Sequence, residues 1–177
     1  MPKDSSENYF EIRYEGFGND GISIIIETLT DNKNRTASEV RSILTKNGGR
    51  LAEKGSVTFN FQQLGELSFL NERVNKEEIL FFAIENGAEE VIEEKSSFRI
   101  FCKPDNFGTL RNKIEKNFAE PTTAKLVWSP INRLNIDKNA AKKIFYIIEC
   151  LEESDDVQNI YTNINISNDV LKQLSNE

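Results

Sequence analysis

The residues Thr30-Asp31-Asn32-Lys33-Asn34-Arg35 place two side-chain amides, a lysine and an arginine between an apolar run and a helix-like segment. Amides at the start of a helix can cradle a phosphate or carboxylate, and Lys33 and Arg35 would supply the charge. Further on, Ser38, Arg41 and Thr45 recur at three- and four-residue spacing, which puts them on one polar helix face. Thr36 opens that helix, and Lys46 and Asn47 lie at its end. This is chemistry for holding an anion rather than for turning one over. The set has no histidine, no paired carboxylates and no nucleophile beside a base. The same residues also suit a solvated loop and an ordinary polar helix face, with the asparagines making turns.

A second candidate is Tyr14-Glu15-Gly16-Phe17-Gly18-Asn19-Asp20-Gly21, a literal G-x-G-x-x-G. A dinucleotide fingerprint needs a helix to begin at the third glycine, so that its amides meet the pyrophosphate. Here Gly21 precedes "ISIIIETLT", a β-branched run that reads as a buried strand. The reading is a β-hairpin, with Gly16, Gly18 and Gly21 giving a tight, positive-φ connection. Gly48 and Gly49, after Asn47, supply the left-handed end of the following helix.

Composition narrows the function classes. The chain of 177 residues contains no histidine, which removes Ser-His-Asp and Cys-His nucleophilic machinery and HExxH zinc sites together. An enzyme is not expected, nor a cofactor, a metal or a small-molecule substrate. Cys102 and Cys150 lie far apart in apolar stretches and read as buried reduced thiols. No apolar run approaches the ~20 residues of a membrane span, and the first residues lack a secretory signal. The expectation is a cytoplasmic protein without a membrane partner. A net charge of −7 argues against coating nucleic acid over the whole surface. Charge is uneven, however: residues 31–54 carry six basic against three acidic residues, and residues 137–177 carry eight acidic against four basic. The "LEESDD" run reads as a helix end followed by a solvated turn. Phe98, Phe101 and Phe107 lack the basic residues that accompany a base-stacking sheet.

These residues need elements to position them. Residues 9–14 and 22–30 read as paired strands, and Thr36-Ala37-Ser38-Glu39 as a capping box opening a helix. Ala37, Val40, Ile43 and Leu44 would face its core. Residues 56–70 alternate and are expected to form a second hairpin turning at Gly65. A helix from Lys76 to Asn86 stopping at Gly87, two strands turning near Lys95 and Ser96, and a helix over 105–118 capped by Asp105 follow. Pro130 breaks an extended segment. Residues 137–154 form an amphipathic helix starting at Asp137, and a last strand precedes a fraying polar tail. The fold class is α+β: two small ferredoxin-like α/β units with mixed antiparallel sheets, the second inserted into the first. Residues 9–70 with 133–170 would form the first domain and 71–132 the inserted second, with flexible ends at 1–8 and 171–177.

The segments "YEGFGNDG", "LTDNKNRTASEVRSILTKNGG", "GSVTFNF" and "LEESDDVQNIYTN" together resemble the signature segments of the YebC family, also called PmpR-like. The resemblance runs from about Tyr9 to Val170. It implies a basic helical first domain followed by two α+β domains, the third inserted in the second. Relatives include a mitochondrial translational activator of cytochrome oxidase. The family has been described as promoter-binding transcriptional regulators and is also associated with ribosomes at difficult stretches such as proline runs; catalysis belongs to neither account. Its characteristic polar patch falls on Asp31, Asn32, Asn34, Arg35, Thr36, Arg41, Lys46, Asn47, Gly48 and Gly49. Lys33 stands where arginine is frequent, losing the bidentate fork for phosphate. Asn19-Asp20-Gly21 stands where Pro-Gly-Gly is usual.

The resemblance therefore implies a regulator of gene expression that binds RNA, the ribosome or DNA, supporting translation through the basic, Asn-rich segment 31–50. A DNA-binding transcriptional regulator, or a truncated paralogue acting only as a protein-interaction module, are the other roles it allows. The family's basic first domain has no counterpart in these residues, which suggests a fragment, a shortened paralogue or a split gene and weak binding to free duplex DNA.

Overall fold

A computed structural model of the chain describes residues 8–176, so the expected flexible ends at 1–8 and 171–177 lie outside the description at 1–7 and 177. The described residues form two compact units, one of residues 8–62 with 130–176 and the other of 63–129. Among the described residues no helix is long and apolar enough to cross a membrane. Mixed helices and antiparallel sheets make this an α+β protein, as expected.

The first unit starts with an antiparallel hairpin, β1 (Phe10–Phe17) and β2 (Ser23–Thr30), in register from Phe10↔Thr30 to Phe17↔Ser23. β2 begins just after Gly21, so no helix opens at the third glycine and the pyrophosphate site does not form. Asp20 (φ 58°) and Gly21 (φ 70°) make the left-handed step, and Gly18 N–H donates to Ile22 O at 2.8 Å. The expected positive φ at Gly16 and Gly18 is absent, and these two glycines serve close approach instead. A Cβ on Gly16 would sit 2.7 Å from Arg50 O and 2.8 Å from Leu44 Cδ1. One on Gly18 would sit 2.8 Å from Ile144 Cδ1.

Helix α1 (Lys33–Lys46) follows, ended by Gly48 at φ 83°, and the chain returns as the short strand β3 (Arg50–Ala52). After the second unit come β8 (Leu134–Asn135), α4 (Lys138–Glu152), β9 (Val157–Thr162), β10 (Ile164–Asn165) and α5 (Asn168–Ser175). The polar tail is thus helical through Ser175, where Ser167 accepts the Val170 N–H as an N-cap. The sheet runs β3-β1-β2-β9, and β8 pairs with β10 separately. Every third or fourth residue of the two long helices is apolar: Val40 and Leu44, then Ala140, Ala141, Ile144, Ile147 and Leu151. They cluster with Ile22, just before β2, and with Ile24 and Ile26 of β2 to form the core.

Glu15 of β1 is 2% exposed, yet its carboxylate is fully used. It accepts the backbone N–H groups of Gly55 (2.7 Å), Val57 (3.0 Å) and Thr58 (2.7 Å), which fixes the segment leading into a 3-10 turn at Thr58–Asn60. Burial pushes the Glu15 carboxyl up, but the bonds from Gly55, Thr58 and Val57 outweigh it and leave it below its ordinary value.

The second unit contains β4 (Phe61–Leu70, its first two residues in the first unit), α2 (Lys76–Glu85), β5 (Ala88–Glu93), β6 (Ser97–Cys102), α3 (Pro104–Asn117) and β7 (Thr123–Pro130, its last residue in the first unit). Its sheet order, β5-β6-β4-β7, is that of a split βαβ unit. Leu67, Phe69, Ile79, Ala83, Phe98, Ile100, Cys102, Leu110 and Ile114 form its core. The expected hairpin at Gly65 is not there: β4 runs straight through it and pairs Gly65 with Cys102. A Cβ on Gly65 would overlap the Phe107 ring, so the glycine admits α3 to the sheet rather than turning the chain. α3 starts at Pro104 with Lys103 as N-cap, not at Asp105, because proline suits the first helical position and the acid then sits in the first turn.

Three outcomes follow. Gly16→Ala is expected to destabilise the protein by about 1–3 kcal/mol through overpacking. Gly108→Ala, on α3 with open space around it, is expected to be neutral or stabilising by up to ~1 kcal/mol in the same thermal melts. For Glu15, a lowered folded-state pKa means stability that is present above the unfolded value of 4.5 and lost as pH falls through the folded one. The melting-temperature gap between the protein and Glu15→Gln should therefore be widest near pH 7 and close below pH 4.5. A gap constant with pH would contradict the assignment.

Candidate nucleic-acid interface

The segment between β2 and α1 folds into a cap rather than a free loop. The side chain of Asn32 accepts the Arg35 N–H at 3.1 Å, so α1 begins at Lys33 and the cap lies four residues before the expected Thr36 box. Thr36 is buried, with Oγ1 2.8 Å from Asp156 Oδ2 and 3.1 Å from Asn32 O. Glu39, the other half of the expected box, instead accepts from Ser154 Oγ at 2.9 Å.

Arg35 is clamped by two carboxylates. Its Nη2 lies 2.8 Å from Asp31 Oδ1 and 3.0 Å from Asp156 Oδ1, and its Nε 3.3 Å from Asp156 Oδ2. Asp31 and then Asp156 hold the guanidinium above its ordinary value. Asp156 also accepts the Leu29 N–H through its backbone oxygen at 2.8 Å, tying β9, β2 and α1 at one point. Burial raises the Tyr14 phenol, and the Asp156 charge adds to it. "LEESDD" does end α4 and turn with Glu152, Glu153 and Asp155 exposed, but Asp156 is not part of that solvated surface. Asp156 is 9% exposed and organises the start of α1. The sequence signal was present only as part of a family segment, because no local spacing pairs residue 156 with 35 and 36.

The surface beside Arg35 is acidic. Asp31, Glu39, Glu153, Asp155 and Asp156 line one depression around this single arginine. The opposite flank of α1 differs. Asn34, Ser38, Arg41 and Thr45 stand in an exposed stripe without a carboxylate, and Thr45 Oγ1 donates back to Arg41 O at 2.7 Å. Lys33 lies 4.2 Å from the Phe10 ring centroid, a cation–π contact that holds its ammonium near the helix start. Lys46 is exposed in the last turn. Asn47 caps the helix end, its Nδ2 donating to Ile43 O at 2.7 Å.

Beyond that end, Asn47 and Gly48 share a depression of about 650 Å³ with Asn19, Asp20, Lys142, Lys143 and Tyr146. The two lysines extend the basic surface from a second helix, which no spacing in the sequence could link to residue 47. Asn19 of the altered hairpin turn is buried there and donates to Ala140 O at 3.1 Å. Gly49 serves close packing: a Cβ on it would overlap Phe17 O. Cys102 is buried and raised by that burial, while Cys150 is half-buried, and both are free thiols. Among the described residues no three Cys, Asp or Glu side chains converge as a metal-binding group.

The Asp156 clamp predicts its own energetics. Asp156→Asn should destabilise the protein by roughly 1–3 kcal/mol and Thr36→Val by about 1 kcal/mol. Arg35→Ala combined with Asp156→Asn should cost less in urea unfolding than the two single changes summed. Strict additivity would show that the ion pair contributes nothing.

Known proteins share this fold. A crystal structure of a conserved hypothetical protein from Aquifex aeolicus superposes with a TM-score of 0.86 at 34% identity, over 96% of this chain and 70% of that one. A family model named for transcriptional regulators, and described as the TACO1/YebC second and third domain, matches residues 9–164. Because that match spans most of the chain, the chain belongs to the TACO1/YebC family of transcriptional regulatory proteins.

Proposed function

We propose that this protein is a regulator of gene expression that contacts RNA, most directly ribosomal RNA, through the outer face of α1. The observation that carries the reading is the stripe Asn34, Ser38, Arg41 and Thr45, flanked by Lys33 and Lys46 and free of carboxylates. Amides, hydroxyls and cations on a rigid helix suit the oxygens of a phosphodiester backbone. Lys143, with Asn47 at the helix end, continues the same chemistry. Asn32, Arg35 and Thr36 act in this reading as the frame: they cap and orient α1 rather than touch the ligand. The role is binding, without turnover, in the cytoplasm.

DNA is the second reading, favoured by the transcriptional-regulator family model. A net charge of −7 weighs against it, because duplex affinity rests on neutralising many phosphates.

The test is Arg41→Glu with Lys46→Glu, leaving Arg35 in place. Binding to purified ribosomes and to promoter duplexes is measured across a salt series. The expected outcome is at least tenfold weaker ribosome association, a shallower salt slope by about one unit per lost phosphate contact, and an unchanged melting temperature. Ribosome association equal to that of the unmodified protein would overturn the α1 assignment. Tighter salt-matched binding to DNA than to ribosomes would favour the second reading.

A further inference from the structure

Helix α2 of the second unit is apolar on two sides. Ile79 and Ala83 face inward and are fully buried, whereas Phe81 and Ile84 are 66% and 62% exposed. A ten-residue helix with one core to cover needs only one apolar face. The outward stripe reads Glu77, Phe81, Ile84 and Glu85, with Glu78 beside it, all exposed. None of these three glutamates makes an ion pair among the described residues.

Nearby cations are turned elsewhere. Lys76 pairs with Glu93 of β5 at 2.8 Å, and Lys113 of α3 donates to Asn86 Oδ1 at 3.3 Å beyond the helix end. Glu77 and Glu78 suit the positive helix start, but Glu85 stands in the last turn, where the helix dipole opposes a negative charge. Local stability therefore explains neither the exposed aromatic nor the acid at the C-terminal end.

We propose that this face is a docking site for a basic amphipathic helix of a protein partner, whose apolar stripe covers Phe81 and Ile84 and whose lysines or arginines meet Glu77, Glu78 and Glu85. Charge complementarity selects the occupant. A second copy would bring three like carboxylates against three, and a nucleic acid would bring phosphates of the same sign. A central aromatic ringed by charge is the usual form of a small interface hot spot, and ten residues of helix span about 15 Å, enough for a transient contact. The inference does not depend on the RNA-binding reading of α1.

The experiment uses the full chain and three labelled peptides of 18 residues, read by fluorescence anisotropy near physiological salt. One carries leucine and lysine at helical period, one the same composition scrambled, and one leucine and glutamate at helical period. The expected result is at least tenfold tighter binding of the periodic lysine peptide than of the scrambled one. Phe81→Ala with Ile84→Ala should remove that preference without changing the melting temperature. Glu77→Lys with Glu85→Lys should transfer it to the glutamate peptide. Equal binding of periodic and scrambled lysine peptides would reduce the effect to net charge and overturn the site, as would a preference that survives Phe81→Ala with Ile84→Ala. Sedimentation equilibrium showing self-association that Phe81→Ala with Ile84→Ala abolishes would assign the face to a second copy and overturn it too.

Discussion

The Asp156 carboxylate holds together parts of the chain that sequence keeps 120 residues apart. It meets Arg35 and Thr36 in the first turn of α1, while its backbone oxygen holds Leu29 near the end of β2. Apolar packing by Val40 and Leu44 places α1 on the sheet, but burial is non-directional and leaves a helix free to slide or roll. Charge-assisted hydrogen bonds are directional and contribute about 1.5–3 kcal/mol each when well made, against about 1 kcal/mol for an N-cap. The cap on Asn32 starts the helix; Asp156 decides which way its polar stripe points. Arg35 and Thr36 are consumed in that task, which explains why a strongly basic segment presents an acidic flank.

A second constraint works through atoms that are missing. Gly16, Gly18 and Gly49 let the β1–β2 hairpin come into backbone contact with β3 and within van der Waals reach of Leu44 and Ile144. In the other unit Gly65 does the same for Phe107 of α3. The left-handed steps fall elsewhere, on Asp20, Gly21, Gly48, Gly55 and Gly87. Glycine thus has two separate uses in this chain. The G-x-G-x-x-G match mixes them: two positions for close packing and one for a turn.

That mixture shows where sequence reading succeeds and where it stops. The helical period of Val40 and Leu44, and of Ala140, Ile144, Ile147 and Leu151, is local information and made α1 and α4 legible. The same period put Ser38, Arg41 and Thr45 on the outward face of α1. The sequence marks Thr36 as the cap, but α1 is capped by Asn32 four residues earlier while Thr36 is taken by Asp156, which no local rule can see. Gly65 within an alternating strand reads equally as a turn or as a close approach; the Phe107 ring settles it. The nearness of Lys142 and Lys143 to Asn47 is a tertiary fact, created when two helices pack on one sheet.

Charge placement gives the arrangement its consequence. Screening at physiological ionic strength confines a surface charge to about 8 Å, so the charges nearest α1 matter more to its outer face than the overall −7. The carboxylates around Arg35 lie within that range of one edge of α1 and repel phosphate there. A polyanion can approach the helix across Asn34, Ser38 and Arg41 but not across Arg35. Under the proposed RNA-binding reading, such a bordered stripe would meet a phosphate-lined surface in one orientation rather than coat a nucleic acid. In that reading the carboxylates that clamp Arg35 would also supply the repulsive border that orients a bound strand.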